Sequence, residues 1–207
     1  MGTPDEAMRD HWWWRPGWNV GRRFYTWHLT FEGQEDIHRL AGEYRDRLAD
    51  VPRLTLIPDR WLHLTMQGVG FVGEVSEQTV RDIGATAAAR LAKIRAFDIE
   101  VGPAVIDPEA VLLPVSPAEP VRAVRDAIRA AIHDVMQSIP EQAEGFRPHV
   151  SVAYSAGTGP SELIKQSLAA LTVRSATARI TSAELIVLHR DNHMYEWTPY
   201  AQVELGE

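Results

Sequence analysis

The chain has 207 residues, 45% of them hydrophobic and 24% charged, which is typical of a globular domain, and no apolar run is long enough to span a membrane. The lack of cysteine excludes disulfides, thiolate nucleophiles and cysteine-ligated metal centres, and it is consistent with a cytoplasmic location. The net charge of −7 argues against a protein that coats long nucleic-acid tracts, but not against one that holds a small nucleotide in a cleft.

Residues 1–22 are predicted to form an arm outside a single domain that covers residues 23–207. Residues 1–6 are polar and acidic, unlike a secretory signal. The segment 11–18 reads His-Trp-Trp-Trp-Arg-Pro-Gly-Trp, and its proline and glycine oppose regular structure. Two roles are open for this segment. Its tryptophans cover a hydrophobic patch of the domain, or together with Arg22 and Arg23 they form a stacking platform for a base and a phosphate.

Hydrophobic periodicity predicts alternating strands and helices along the domain. Strands are expected at residues 24–31, 54–57, around His63, at 97–106, 109–115, around His149, at 183–189 and at 195–203, and helices at 37–48, 80–94, 117–135 and 161–171. In the first strand, alternation directs Thr26, His28 and Thr30 to the face opposite its large apolar residues. The third helix is expected to bury an apolar stripe and to direct three arginines to solvent, namely Arg122, Arg125 and Arg129.

The order of these elements repeats along the chain. Strand, helix, histidine-bearing strand, helix and strand occur over residues 24–106 and again over residues 109–189. The two halves share hardly any side chains apart from the histidine motifs, so the repeat lies in the pattern of elements. A duplicated α+β unit with a pseudo-two-fold axis is the simplest interpretation, and the axis would bring His63 and His149 together across a groove.

Each histidine-bearing strand carries a hydroxyl two residues after the histidine. The pairs are His63 with Thr65 and His149 with Ser151, and because side chains alternate along a strand, each pair shares one face. Two imidazoles suit a reaction near neutral pH in which one takes a proton from an attacking water or hydroxyl and the other protonates the leaving oxygen. The hydroxyls are suited to hold a phosphate between the rings. The pattern therefore favours phosphodiester cleavage, or its reversal, without a metal.

A single motif of this kind carries little weight, as the third copy His28-Leu29-Thr30 illustrates. This copy lies in the first strand of its unit, where the second unit has no histidine. His28 is therefore not predicted to belong to the catalytic pair. It remains a candidate for holding substrate, because its face of the strand is expected to turn towards the same groove.

The two paired motifs are similar to those of a known family. Residues 63–70 (His-Leu-Thr-Met-Gln-Gly-Val-Gly) resemble the first motif of the two-histidine (2H) phosphoesterase superfamily, and residues 147–153 (Arg-Pro-His-Val-Ser-Val-Ala) resemble the second, in which Pro-His is typical. The resemblance extends from Phe24 onwards and is nearest to the bacterial 2′-5′ RNA ligase and cyclic phosphodiesterase branch. Three positions depart from the pattern. Met66 replaces leucine, Ser151 replaces the commoner threonine, and Tyr154 stands where this branch often has a basic residue.

This resemblance implies a bilobal α+β fold, with two antiparallel sheets lining a central groove and helices packed outside. It also implies a cofactor-free enzyme that opens 2′,3′-cyclic phosphates of RNA ends or small nucleotides, with or without reversible 2′-5′ RNA ligase activity. His63 and His149 would be general base and general acid, in either order, and Thr65 and Ser151 would bind phosphate. A cytoplasmic monomer acting on an RNA terminus or a small cyclic nucleotide is expected.

Several assignments stay open at this stage. Gln67 either lines the groove beside His63 or is a solubilising surface residue, and Arg147 either contacts phosphate or caps the beginning of its strand. Four further histidines are expected at the surface or in turns, namely His38, His133, His189 and His193. No carboxylate stands at ligand spacing from either motif histidine, so no metal site is expected. A non-catalytic module that binds a nucleotide or an RNA end in the same groove is the alternative function.

Overall fold

The computed structural model describes residues 7–172 and 174–206. Its helices are α1 (Glu35–Leu48), α2 (Glu77–Leu91), α3 (Ala118–Met136) and α4 (Glu162–Ala169). Its strands are β1 (Ala7–Met8), β2 (Phe24–Thr30), β3 (Leu54–Leu56), β4 (His63–Phe71), β5 (Phe97–Val101), β6 (Val105–Asp107), β7 (Ala110–Ser116), β8 (His149–Ser155), β9 (Gly159–Pro160), β10 (Ala176–Ile180), β11 (Ser182–His189) and β12 (Glu196–Glu204).

Two antiparallel sheets form the framework of the fold. The first has the strand order β12-β11-β2-β4, and the second has the order β10-β5-β7-β8-β3, with β6 also paired to β7. In both sheets the strand that carries a motif histidine pairs with the first strand of its own repeat. The pairings are equivalent residue by residue, since His28 lies opposite Thr65 in the first sheet and Leu112 lies opposite Ser151 in the second. The predicted duplicated α+β unit is confirmed.

The two halves of the chain exchange their last strands. β5, which ends the first unit, joins the second sheet beside β7. β11, which ends the second unit, pairs with β2 in the first sheet. Each sheet is therefore built from both halves, so the two lobes are interlocked, and the motif strands β4 and β8 are held in a fixed relation to each other.

The helices cover the outer face of each sheet. α2 and α3 pack together and contact β12 and β4 of the first sheet, whereas α1 contacts α4 and, in the second sheet, β8 and β10. The side chains along β2 alternate as predicted. Tyr25, Trp27 and Leu29 are buried on the side of the helices, whereas Thr26 and His28 lie on the opposite face of the sheet.

None of the helices in the described part of the chain combines the length and the apolar composition needed to cross a membrane.

The strand predicted at residues 97–106 is interrupted. β5 and β6 are separated at Gly102, whose φ of +102° is a left-handed conformation that favours glycine, and at Pro103, which has no N–H to give to a sheet. The predicted turn at Asp107 and Pro108 does join the hairpin, since Asp107 pairs with Ala110. The short strands β1, β9 and β10 were not predicted from the sequence.

Arg125 is buried, which corrects the prediction that it faces solvent. The loop after α3 folds back over the helix, and the carbonyl oxygens of Gln142 and Ala143 each accept a hydrogen bond from the guanidinium at 3.0 Å. A third hydrogen bond runs from Nε to the carbonyl oxygen of Met66 in β4, at 2.8 Å. Arg125 follows the buried Val124 in α3, and these backbone acceptors make the burial of its side chain favourable.

The described part of the arm, residues 7–22, crosses from the second sheet to the first. β1 pairs with β9, and the N–H of His11 donates to the carbonyl of Ser155 at the end of β8. Further along the arm, the N–H of Gly21 donates to Asp191 in the β11–β12 turn of the first lobe at 2.9 Å. The arm therefore bridges the two lobes at one end of the space between the sheets. Residues 1–6, predicted to be its polar beginning, lie outside the described residues.

The tryptophans of the arm have different environments. Trp12 is buried and its ring lies against those of Tyr154 and Tyr195. Trp13 and Trp14 remain 50% and 44% exposed. Trp12 thus covers an aromatic patch of the domain, which is the first of the two roles considered for this segment, while its two neighbours stay accessible.

Candidate active site

The sheet faces that are free of helices line a groove of about 430 Å³. The first sheet contributes Phe24, Thr26, His28, His63 and Thr65, and the second contributes Ala110, Leu112, His149, Ser151 and Tyr154. The pseudo-two-fold axis therefore brings both motif pairs into one cavity. Of the residues predicted for the site, the structure places in the lining His63, His149, Thr65, Ser151, His28 and Arg147. The four histidines expected at the surface or in turns lie outside it.

A β-bulge follows each motif and decides which side chains face the groove. In β4 the extra residue is Met66, between Thr65 and Gln67. In β8 it is Val152, directly after Ser151. An extra residue reverses the alternation of the strand beyond it. The bulges occur at equivalent positions of the two repeats, and because each one follows its motif pair, the alternation within both pairs is preserved.

Gln67 does not line the groove, and it is not exposed either. The bulge turns its side chain to the helix side of the first sheet, where it is fully buried. Its Oε1 accepts a hydrogen bond from Arg129 at 2.6 Å, and its Nε2 donates to Glu141 at 3.3 Å. Gln67 therefore links β4 to α3 and to the loop after it. The prediction of strict alternation through Gln67 is wrong because it took no account of the bulge.

Both motif histidines are held by the same backbone hydrogen bond. Nδ1 of His63 lies 2.8 Å from the carbonyl oxygen of Trp61, and Nδ1 of His149 lies 2.8 Å from that of Arg147, two residues earlier in each case. A carbonyl oxygen only accepts, so Nδ1 carries the proton in both rings. Nε2 is therefore the nitrogen that exchanges a proton, and it makes no hydrogen bond to any residue in the described part of the chain.

The two imidazoles differ in their exposure to solvent. His63 is buried, whereas His149 is exposed. Burial lowers the pKa of His63 to about 4, an effect that its hydrogen bond to Trp61 opposes and the nearby His149 reinforces. His63 is therefore neutral at physiological pH, with an unprotonated Nε2.

His28 packs directly against the first motif histidine. Its ring is stacked on that of His63 with centroids 4.3 Å apart, and the ring of Trp197 meets both imidazoles edge-on. Burial, together with the proximity of His63, lowers the pKa of His28 well below its usual value. Its buried Nδ1 has no hydrogen-bond partner among the described residues. His28 is thus a neutral ring that fixes the orientation of His63.

The two hydroxyls of the motifs are not equivalent in environment. Thr65 is exposed to the groove, whereas Ser151 is buried beside Tyr154. Burial raises the pKa of Tyr154, and Tyr195 adds to this, so the phenol stays neutral. Arg147 extends into solvent at the edge of the groove, with Nη2 3.7 Å from Oδ2 of Asp107.

One end wall of the groove comes from residues outside the two histidine motifs. The arm supplies His11, Arg15 and Trp18, and the rest of this wall includes Glu109, Arg190 and Tyr195. Only one signal in the sequence pointed to them, namely the combination of aromatic and basic residues in the arm.

Among residues 7–172 and 174–206, no group of three or more histidine, aspartate or glutamate side chains is arranged to hold a metal ion.

Most of the chain matches a known protein family. Residues 32–192 match the family described as the 2′-5′ RNA ligase superfamily. The chain belongs to this superfamily. The resemblance to 2H phosphoesterases stated from the two motifs is therefore confirmed. Among curated protein sequences, none matches the chain.

Solved structures of similar fold include several bacterial proteins. The Thermus thermophilus protein TT0787 has a TM-score of 0.66 and 18% identity, over 90% of this chain and 99% of that one. E. coli LigT complexed with phosphate has a TM-score of 0.64 and 13% identity, again over 90% and 99%. LigT complexed with 3′-AMP gives 0.62 and 14%, with the same coverage. At these identities the similarity concerns the fold, and the predicted arrangement of two sheets around a groove is confirmed. The arm precedes the residues that match the superfamily.

Proposed function

We propose that this member of the superfamily is a metal-independent phosphoesterase that opens 2′,3′-cyclic phosphates of RNA ends or small nucleotides, and that it can also catalyse reversible 2′-5′ joining. The observation that carries the proposal is the pair of imidazoles whose Nδ1 atoms are both fixed on backbone carbonyls, so that both Nε2 atoms are free to exchange protons in one groove. The E. coli LigT structures with phosphate and with 3′-AMP support a ligand of this class.

The proposed reaction needs one proton acceptor and one proton donor. We assign the base to His63, because its lowered pKa leaves Nε2 unprotonated near neutral pH. It removes a proton from water as the water oxygen bonds to phosphorus. The bond from phosphorus to one ribose oxygen breaks, and Nε2–H of His149 protonates that oxygen. The role of acid falls to His149, which is exposed to solvent and whose Nε2 makes no hydrogen bond to any described residue.

The hydroxyls and the flanking ring position the reacting groups. Thr65 and Ser151, one in each motif, donate hydrogen bonds to the non-bridging phosphate oxygens in this proposal. His28 keeps the ring of His63 in its orientation through the 4.3 Å stack. Arg147 stands at the open edge, where its guanidinium attracts the anionic substrate into the groove.

The proposal is tested by measuring kcat/KM for nucleoside 2′,3′-cyclic phosphates between about pH 3.5 and pH 8 in the presence of EDTA. We expect turnover to survive chelation. Because the base must be neutral, the acidic limb of kcat/KM should lie at about pH 4, the pKa of His63, so that kcat/KM is still high at pH 6. If His63 were instead the acid, it would have to be protonated, and activity would be lost as the pH rises above about 4.

Three results would decide against this proposal. Turnover abolished by EDTA would contradict metal independence, and an acidic limb near pH 6.5 would contradict the assignment of the base. If the protein binds cyclic nucleotides or RNA ends and leaves them all unchanged, it is a binding module.

Circular dichroism at each pH is needed as a control, to show that the protein stays folded. The pKa values of His11 and His63 are lower in the folded protein than in the unfolded chain. Below about pH 6.5 the unfolded chain therefore binds more protons than the folded protein, and the free energy of unfolding decreases as the pH falls.

A further inference from the structure

The arm and the β11–β12 hairpin build a polar cluster at one end of the groove. Oε2 of Glu109 lies 3.1 Å from Nδ1 of His11 and 3.3 Å from Nη2 of Arg15. The hydroxyl of Tyr195 accepts a hydrogen bond from Nη1 of Arg15 at 2.8 Å and lies 3.1 Å from Nε2 of His11. A neutral His11 that donates from Nδ1 and accepts at Nε2 satisfies all of these contacts.

Arg190 lies beneath the same cluster and also lines the groove. Only 2% of its surface is exposed, and its Nη2 donates to the carbonyl oxygen of His11 at 3.0 Å. Its Nε is buried without a hydrogen-bond partner, and no carboxylate among the described residues pairs with its charge. Aromatic rings surround the guanidinium, with those of Trp12 and Tyr195 at 5.4 and 5.3 Å. A buried cation that forms no direct salt bridge with a carboxylate is costly, and it attracts an anion to the adjoining groove.

The cluster carries a net positive charge. Burial, followed by the charges of Arg15 and Arg190, lowers the pKa of His11 to about 3, so this ring is uncharged in neutral solution. Two guanidinium groups therefore face the single carboxylate of Glu109. Arg15 is 35% exposed and two of its nitrogens have the partners described above, so it retains donors for a ligand.

The cluster adjoins the catalytic pair. The ring of Tyr195 lies 5.8 Å from that of His63 and 5.4 Å from that of Tyr154, which packs beside Ser151 in β8. The side chain of Tyr195 thus lies between the charged cluster and His63. A ligand whose reacting phosphate lies between the histidines can therefore place a second group at this end of the same groove.

We propose that Arg15 and Arg190 form a second phosphate subsite, which binds the phosphate on the 5′ side of the nucleotide whose phosphate lies between His63 and His149. This inference rests on the proposed function for the location of the reacting phosphate. The ligand is a phosphate group of the same substrate, either the 5′-phosphate of a mononucleotide or the internal phosphodiester of an RNA end. The arm thereby makes the protein prefer substrates with two phosphates.

The test compares the binding of two nucleotides by calorimetric titration of the full-length protein. Adenosine 3′,5′-bisphosphate should bind roughly 10- to 100-fold more tightly than adenosine 3′-monophosphate, because it adds charge-assisted hydrogen bonds. The variant Arg15→Gln should reduce this ratio by about tenfold. Arg9→Gln is the matched control, since Arg9 is an exposed arginine of the same arm outside the groove lining, and the ratio should persist in it. A dinucleotide with a 3′-phosphate shows whether an internal phosphodiester serves as well as a terminal 5′-phosphate.

Equal affinity for the two nucleotides in the unaltered protein would overturn the subsite, and so would a ratio that survives Arg15→Gln. Arg15 is chosen over the buried Arg190 because its replacement leaves the folded core intact, which a thermal melt verifies. The outcome is separable from that of the proposed function. Turnover of cyclic phosphates without a preference for the bisphosphate refutes the subsite alone, whereas a preference without turnover supports the subsite and refutes the catalytic proposal.

Discussion

Replacing either motif histidine by asparagine is expected to lower kcat for a 2′,3′-cyclic phosphate by about 10²- to 10⁴-fold. The amide of asparagine can reproduce the donor at Nδ1, which holds His63 on the carbonyl of Trp61 and His149 on that of Arg147. It has no counterpart of Nε2. The variants His63→Asn and His149→Asn therefore remove the proton transfer and retain the backbone contact, and initial rates at pH 7 in EDTA measure the loss.

The two histidines act as a unit in this mechanism, so their losses should not add. The double variant is expected to be about as slow as the slower single variant, because groups that serve one transition state are non-additive. His133→Asn is the matched control, since His133 is exposed on α3 outside the groove, and its kcat should be unchanged. Full activity in either His63→Asn or His149→Asn would refute the assignment of the site.

The variant Arg125→Met is expected to lower the free energy of unfolding by about 3 kcal/mol, the largest effect on stability that we predict. Three carbonyl oxygens, those of Met66, Gln142 and Ala143, would lose their donor. For a chain of this size, the loss corresponds to a Tm roughly 6–12 °C lower. Met66 is the extra residue of the bulge in β4, so we also expect the position of Thr65 to be disturbed and KM to rise.

The measurement is urea unfolding followed by circular dichroism, with Arg122→Met as the control. Arg122 lies one helical turn earlier in α3 and is exposed, so its replacement should change the free energy of unfolding by less than about 0.5 kcal/mol. Arg125→Lys should be intermediate, because it retains the charge and loses the fork of donors. Equal stabilities for Arg125→Met and Arg122→Met would show that the buried guanidinium is not required by the fold.

The sequence predicted those features of the fold that depend on short-range periodicity. Alternation along β2 assigned the correct faces to Trp27 and His28, and the repeated order of elements indicated the pseudo-two-fold relation between His63 and His149. The same rule failed at Gln67, because a bulge adds a residue without any distinctive side chain at Met66. Periodicity also failed for Arg125, because it does not show where the backbone carbonyls of β4 and of the loop after α3 will lie.

The end wall of the groove could not be predicted, because its residues are far apart in the chain. Arg15, Glu109 and Tyr195 meet only after the arm has crossed both lobes. The family resemblance drew attention to Tyr154, where a basic residue is commoner. Arg15 of the arm and Arg190, which directly follows β11, lie close enough to this tyrosine to act on its hydroxyl.

Both motif histidines are proposed to act on one phosphate group, and a crystal structure with a nucleoside 3′-phosphate tests this most directly. We predict that Nε2 of His63 and Nε2 of His149 each lie about 2.7–3.2 Å from an oxygen of the same phosphate, with the hydroxyls of Thr65 and Ser151 on its other oxygens. A phosphate bound by only one of the two imidazoles, or bound outside the groove, would contradict the proposed mechanism.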